Sequence, residues 1–191
     1  MSMQFSVLEL LAMAIAAVIV VGALIWLLVE RRRTTTADLR QRFGTEYERA
    51  VQEHGSEAKG QAKLLDREKR VEKLHIRDLE PADRDRFLEA WKTVQAHFVD
   101  DPKDAVKQAN DLVKSLMENR GYPVADFEQR AADISVDHPG VTENYRAAHA
   151  IASKLGEGDV NKEDLRTAII HYHALFEELA QAPVVAKKEA A

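Results

Sequence analysis

The 191-residue chain contains no cysteine. Disulfides, thiolate nucleophiles and Cys-ligated zinc are therefore excluded. Other motifs are missing too. There is no Gly-x-Ser-x-Gly elbow to expose a nucleophilic serine, and no His-Glu-x-x-His. The glycine-containing run GEGDVN at 156–161 lacks the lysine and the spacing of a phosphate-binding loop. No segment sustains the period-two alternation of a strand. No lysine or arginine precedes Arg31.

Charge is unevenly spread. Residues 34–99 balance 13 Lys/Arg against 13 Asp/Glu, whereas residues 100–180 carry 9 against 16. The acidic second half repels phosphate backbones, which argues against a nucleic-acid partner.

Residues 10–29 carry no charge at all. Twenty helical residues at about 1.5 Å each span roughly the 30 Å of a bilayer's hydrocarbon core. Trp26 lies near the far end, where an indole suits the interface. Glu30 and then Arg31, Arg32 and Arg33 end the run. A cleaved signal peptide would need a basic leader and a shorter apolar core, and MSMQFSVLE offers no basic residue. The expectation is an uncleaved transmembrane helix in the lipid bilayer. The triple arginine puts the following domain in the cytoplasm, with the short tail, residues 1–9, outside. The same arginines can meet anionic headgroups.

Helical periods fill the rest. A basic, polar hinge over 30–38 leads to a juxtamembrane arm over 39–75. There Leu39, Phe43, Tyr47 and Val51 form one stripe, and Ser56 can cap a second helix reaching about Leu74. REKR at 67–70 alternates with acids, so it reads as a solvated, ion-paired face. Residues 75–80 read as an extended connector anchored by Ile76 and Leu79.

A helical bundle over 76–180, of about five helices, follows. Pro81 suits the first position of a helix whose apolar face is Phe87, Trp91, Val94 and Phe98. Asp101 and Pro102 start the next, lined by Val106, Ala109, Val113 and Leu116, and Gly121 stops it. Asp126 caps a short helix with Phe127, Ala131 and Ile134 on one face. Pro139 opens another with Val141, Tyr145, Ala148, Ala152 and Leu155. Asn161 and Asp164 form a capping pair for the last, which buries Leu165, Ile169, Tyr172, Phe176 and Leu179. Tyr122, Phe127 and Tyr145 are expected to pack on the Phe87/Trp91 face. Residues 181–191 read as a flexible tail. The fold class is all-α: a transmembrane helix, charged juxtamembrane helices, then the compact bundle.

Seven histidines invite a metal. His171 and His173 flank Tyr172, but residues two apart on a helix point about 200° apart and cannot share an ion. A di-iron bundle needs paired Glu-x-x-His motifs, and only Glu72 to His75 occurs. No catalytic residue, metal or cofactor is assigned.

The run DFEQRAADISVDHPGVTENYRAAHAI, with FVDDP upstream and EDLRTAIIHYHALFEEL downstream, resembles a family of bacterial membrane-anchored or secreted helical proteins known only as hypothetical. The resemblance covers roughly residues 64–180. It implies a bacterial source, and so a bacterial plasma (inner) membrane for the anchor, and a helical domain behind a variable N-terminal anchor. It implies no activity.

Within that run, helix punctuation does not require Glu128, Arg130, Asp133, Arg146 or His149. These five form the candidate interaction surface of a non-enzymatic module that binds a partner protein or self-associates. The alternative is a small-ligand binder or enzyme with a polar pocket near His138, Tyr145 and His149.

Overall fold

The structure, a computed structural model, describes residues 20–21, 36–123, 125–156 and 160–181. Among them every regular element is helical, so the chain is all-α, as the periodicity predicts. The chain divides into two compact units, Met1–Gln41 and Arg42–Ala191.

Of the first unit, Val20, Val21 and residues 36–41 are described, all helical. The span expected over 10–29 otherwise lies outside the described residues, as do Arg31, Arg32 and Arg33. So does the tail beyond Gln181. No helix among the described residues is long and apolar enough to cross a membrane.

The second unit opens with a helical hairpin, α1 (Thr45–His54) and α2 (Glu57–Val71). The stripe expected to run unbroken from Leu39 to Val51 is interrupted at Gly44, whose φ of 52° is open to glycine at no steric cost. Beyond the break the buried residues of α1 are Glu46, Tyr47 and Ala50, and Val51 is half-buried. Ser56 accepts from the Lys59 amide at 3.4 Å and so caps α2, which ends at Val71, short of Leu74. The two helices touch backbone to backbone: a Cβ on Gly60 would stand 2.8 Å from the Val51 nitrogen.

After the connector come α3 (Pro81–Asp100), α4 (Pro102–Asn119), α5 (Phe127–Asp137), α6 (Pro139–Ala152) and α7 (Lys162–Gln181), with a 3-10 turn at Ser153–Gly156. Their ends follow the sequence signals. Asp101 and Asp126 each accept an amide hydrogen bond three residues on, and Asn161 and Asp164 cap each other's amides. At the end of α4 Gly121 adopts φ 96°, and the Tyr122 amide reaches back to the Met117 carbonyl while that of Gly121 reaches Glu118. This paired reach-back satisfies carbonyls that a helix end otherwise leaves open.

Helix α7 packs on α3, α4 and α6. One continuous apolar core joins these elements, and Ile76 and Leu79 anchor the connector to it. Trp91 stacks on His173 and Phe176 of α7, at 5.0 and 4.8 Å between ring centroids. The aromatic rings of α5 and α6 do not close on α3 as expected. Phe127 meets Tyr145, and Tyr145 meets Tyr172 of α7. A periodic stripe tells which face is buried but not which helix covers it.

The carbonyls ending α7 are held by arginines. Arg120, buried after α4, donates to the Leu179 carbonyl at 2.6 Å, and Arg84 donates to that of Ala180 at 3.0 Å. Cations suit this negative end of a helix.

Candidate functional site

The polar residues singled out in α5 and α6 converge on the α1–α2 hairpin. In α1, Glu46 lies on the face of Phe43, Tyr47 and Ala50, which places a carboxylate among apolar neighbours. It is 2 % exposed. In α2, Arg67 stands in register with Gly60, Leu64 and Val71 and is 7 % exposed. Burial of either charge alone would be costly, so each has partners.

Arg67 Nη1 donates to Glu46 Oε2 at 3.0 Å and to the Ser135 hydroxyl at 3.3 Å. Arg146 approaches the same carboxylate from α6, with Nε 2.7 Å from Oε1 and Nη2 3.3 Å from Oε2. Its third nitrogen, Nη1, donates to Glu128 Oε2 at 2.7 Å. Glu46 thus sits between two guanidiniums, one of them in the two-pronged geometry that matches a carboxylate. One helical turn beyond Arg67, Arg70 Nη2 meets Asp133 Oδ2 at 3.1 Å, and Gln129 Nε2 meets Asp133 Oδ1 at 2.8 Å.

These environments shift titration. Burial raises the Asp133 carboxyl above the ordinary value, against the opposing pull of Gln129 and Arg70. Burial alone would lower Arg146, but Glu46 and Glu128 outweigh it and the net shift is upward. Each buried carboxylate on this seam, Glu46 and Asp133, has a guanidinium partner.

The remaining two candidates sit beside the seam. Arg130 donates to the Tyr145 hydroxyl at 3.1 Å and to the Ala125 carbonyl, which braces the start of α5. His149 lies flat on Phe127, 3.6 Å between centroids and 12° from parallel. Burial, reinforced by the positive charge of Arg130, lowers its pKa.

The structure does not gather His138, Tyr145 and His149 into one pocket. His138 is buried with Nδ1 2.9 Å from Glu178 of α7, whereas Tyr145 and His149 meet around Phe127. Besides a cleft on α7 lined by Ala174, Glu177, Glu178 and Gln181, there is one on the seam, between the α1–α2 hairpin and the start of α5. It has a volume of 370 Å³ and is lined by Lys63, Asp66, Arg70, Asp126, Glu128 and Gln129, among others. Lys63 and Asp66 make no hydrogen bond or ion pair among the described residues. None of His138, Tyr145 or His149 lines it.

Metal-ligating geometry is missing from the described residues: no three His, Asp or Glu side chains are grouped to hold an ion. His171 and His173 point to different neighbours, the first to Asn144 at 3.0 Å and the second to Trp91.

Sequence reasoning missed Glu46, Arg67 and Arg70. It assigned 67–70 to a solvated face, and the structure overturns this for Arg67. The signal was available: Leu64, Arg67 and Val71 share one helical face, at spacings of three and four. Phe43, Glu46 and Ala50 repeat the same spacing. A charge in register with a buried stripe marks a charge that is buried and paired.

No protein-family model matches the sequence, nor does any curated protein or any solved structure.

Proposed function

We propose that the chain is a single-pass, membrane-anchored helical protein whose Arg42–Ala191 unit is a non-enzymatic interaction module on the cytoplasmic side of a bacterial inner membrane. The uncharged run 10–29 and the arginines that end it support the anchor and its orientation. The absence of cysteine and of nucleophile and phosphate-loop motifs supports a role other than catalysis.

One observation carries the interaction reading. The seam cleft presents exposed charges of both signs from the hairpin and the start of α5, and Lys63 and Asp66 make no hydrogen bond or ion pair among the described residues. Such a mixed, polar-rimmed surface fits a protein partner carrying complementary charges, and charge complementarity sets specificity and encounter rate. Glu128, whose side chain is 67 % exposed, forms part of the same surface.

The test is site-specific photocrosslinking in native membranes. A photoreactive residue is placed at Lys63 or Asp66 and, as control, at Arg166 on α7, outside the cleft. The reading expects a discrete adduct from the cleft positions and none from the control. An adduct at twice the chain's mass would identify a second copy as the partner. Equal labelling from all three positions, or none from any, would overturn the reading.

A further inference from the structure

We propose that the α1–α2 hairpin is a latch. It is a rigid unit seated on α5 and α6 by the Glu46–Arg67–Arg146 and Arg70–Asp133 bridges, and it can swing off while the α3–α7 bundle stays folded. The proposal goes beyond the interaction reading and does not depend on it.

Three observations carry it. First, the hairpin is packed within itself. Gly60 lies against the Val51 backbone, Tyr47 donates to Glu57 at 2.7 Å and accepts from Gln61 at 3.0 Å, and Arg42 bridges Glu68 at 2.8 Å. Secondly, the hairpin does not share the bundle's core. The continuous apolar cluster joins connector residues, beginning at Leu74, to the five bundle helices. The buried Phe43, Tyr47, Ala50, Leu64 and Val71 stand outside it. Thirdly, the joint is built of charge and holds an open cleft. Buried ion pairs specify an orientation strongly yet add little net stability, because desolvation offsets their attraction. Separation therefore leaves the apolar core intact.

The chain also supplies a hinge. Residues 72–80 form no helix. The bundle end of this connector is pinned, since the Arg77 amide donates to the Arg120 carbonyl at 2.9 Å and Leu79 is buried. Gly121 packs so closely that an added Cβ would stand 2.3 Å from the His75 carbonyl oxygen. Bending would thus fall on the turn Glu72–Leu74, between the last turn of α2, whose Glu68, Arg70 and Val71 carbonyls its amides meet, and Leu74, which packs on the bundle core. When the hairpin swings, it uncovers two complementary faces. Glu46, Arg67 and Arg70 leave with the hairpin, carrying one cation in excess. Glu128, Asp133 and Arg146 remain, carrying one anion in excess.

The lack of native cysteine makes the test direct. Spin labels are attached at Lys63→Cys and Ala132→Cys, on opposite walls of the cleft, in the full chain in lipid nanodiscs. Pulsed electron resonance then reads their separation. The parent should give a short distance as its main population. Glu46→Lys, which opposes Arg67 and Arg146 together, should add a long-distance population and speed amide exchange in α1–α2 about 10-fold or more, with α3–α7 unchanged. Arg70→Glu should do the same more weakly, and adding Asp133→Arg should restore the short distance. Two results would overturn the latch. One is a single short distance in both Glu46→Lys and Arg70→Glu. The other is a shift in distance accompanied by loss of exchange protection throughout α3–α7.

Discussion

Arg67 of α2 and Glu46 of α1 form a buried ion pair at 3.0 Å, and the same carboxylate also receives Arg146 from α6. The pair is unequal. Removing Glu46 strands the buried Arg67 and leaves Arg146 only Glu128, whereas removing Arg67 leaves Glu46 still held by Arg146. Glu46→Gln should therefore weaken hairpin docking by about 3–5 kcal/mol, the usual cost of an uncompensated buried charge. Arg67→Met should cost clearly less. The double variant should fall short of the sum by about 0.5–3 kcal/mol, as expected of coupled neighbours. Equilibrium hydrogen exchange of the α1–α2 amides measures all three.

Gly121 and Gly140 should respond in opposite ways to alanine. At Gly121 the φ of 96° and the His75 carbonyl both exclude a Cβ, so Gly121→Ala should cost about 1–3 kcal/mol. At Gly140, in the first turn of α6, nothing lies within 4 Å of the added Cβ. Gly140→Ala should be neutral or stabilise by up to about 1 kcal/mol. Thermal unfolding of the two variants checks the contrast.

Trp91 is 3 % exposed, and its indole nitrogen makes no hydrogen bond among the described residues. Its contribution is thus apolar and through stacking on Phe176 and His173. Trp91→Ala should cost about 3–5 kcal/mol. Trp91→Phe keeps a ring there and forfeits no hydrogen bond, so it should cost about half as much or less. Urea denaturation followed by circular dichroism separates the two.

His149 gives a pH signature. Its folded-state pKa is depressed below 6.5, so the unfolded chain binds the proton more readily. Stability from this residue is present above about pH 6.5 and is lost as pH falls through the folded value. His149→Phe should preserve the stack on Phe127 and flatten the stability profile between pH 7.5 and 5, relative to the parent. An unchanged slope in urea titrations would assign the pH dependence to other groups.

Much of the fold was legible because helix ends obey local rules. Asp101, Asp126, Asn161, Asp164 and Gly121 each act through groups within four residues in sequence, and each performs the capping role its spacing predicts. The seam was not legible for the opposite reason. Glu46 and Arg146 are 100 residues apart, and Arg70 and Asp133 are 63 apart. Nothing local distinguishes a charge that will be paired across the fold from one that stays in water. Only the register of Arg67 with Leu64 and Val71, and of Glu46 with Phe43 and Ala50, hinted at it. Glu128, Asp133 and Arg146 stood out because punctuation left them unexplained, and the hairpin supplies their explanation.

The most direct measurement is native-state hydrogen exchange on the unmodified chain. If the hairpin is held by charge and the bundle by its core, α1–α2 amides should exchange through an opening that leaves α3–α7 protected, at a lower free energy than global unfolding. The two sets of amides should then separate clearly at low denaturant. Exchange of both sets at one common free energy would contradict this account, because the hairpin and bundle would then open only as one.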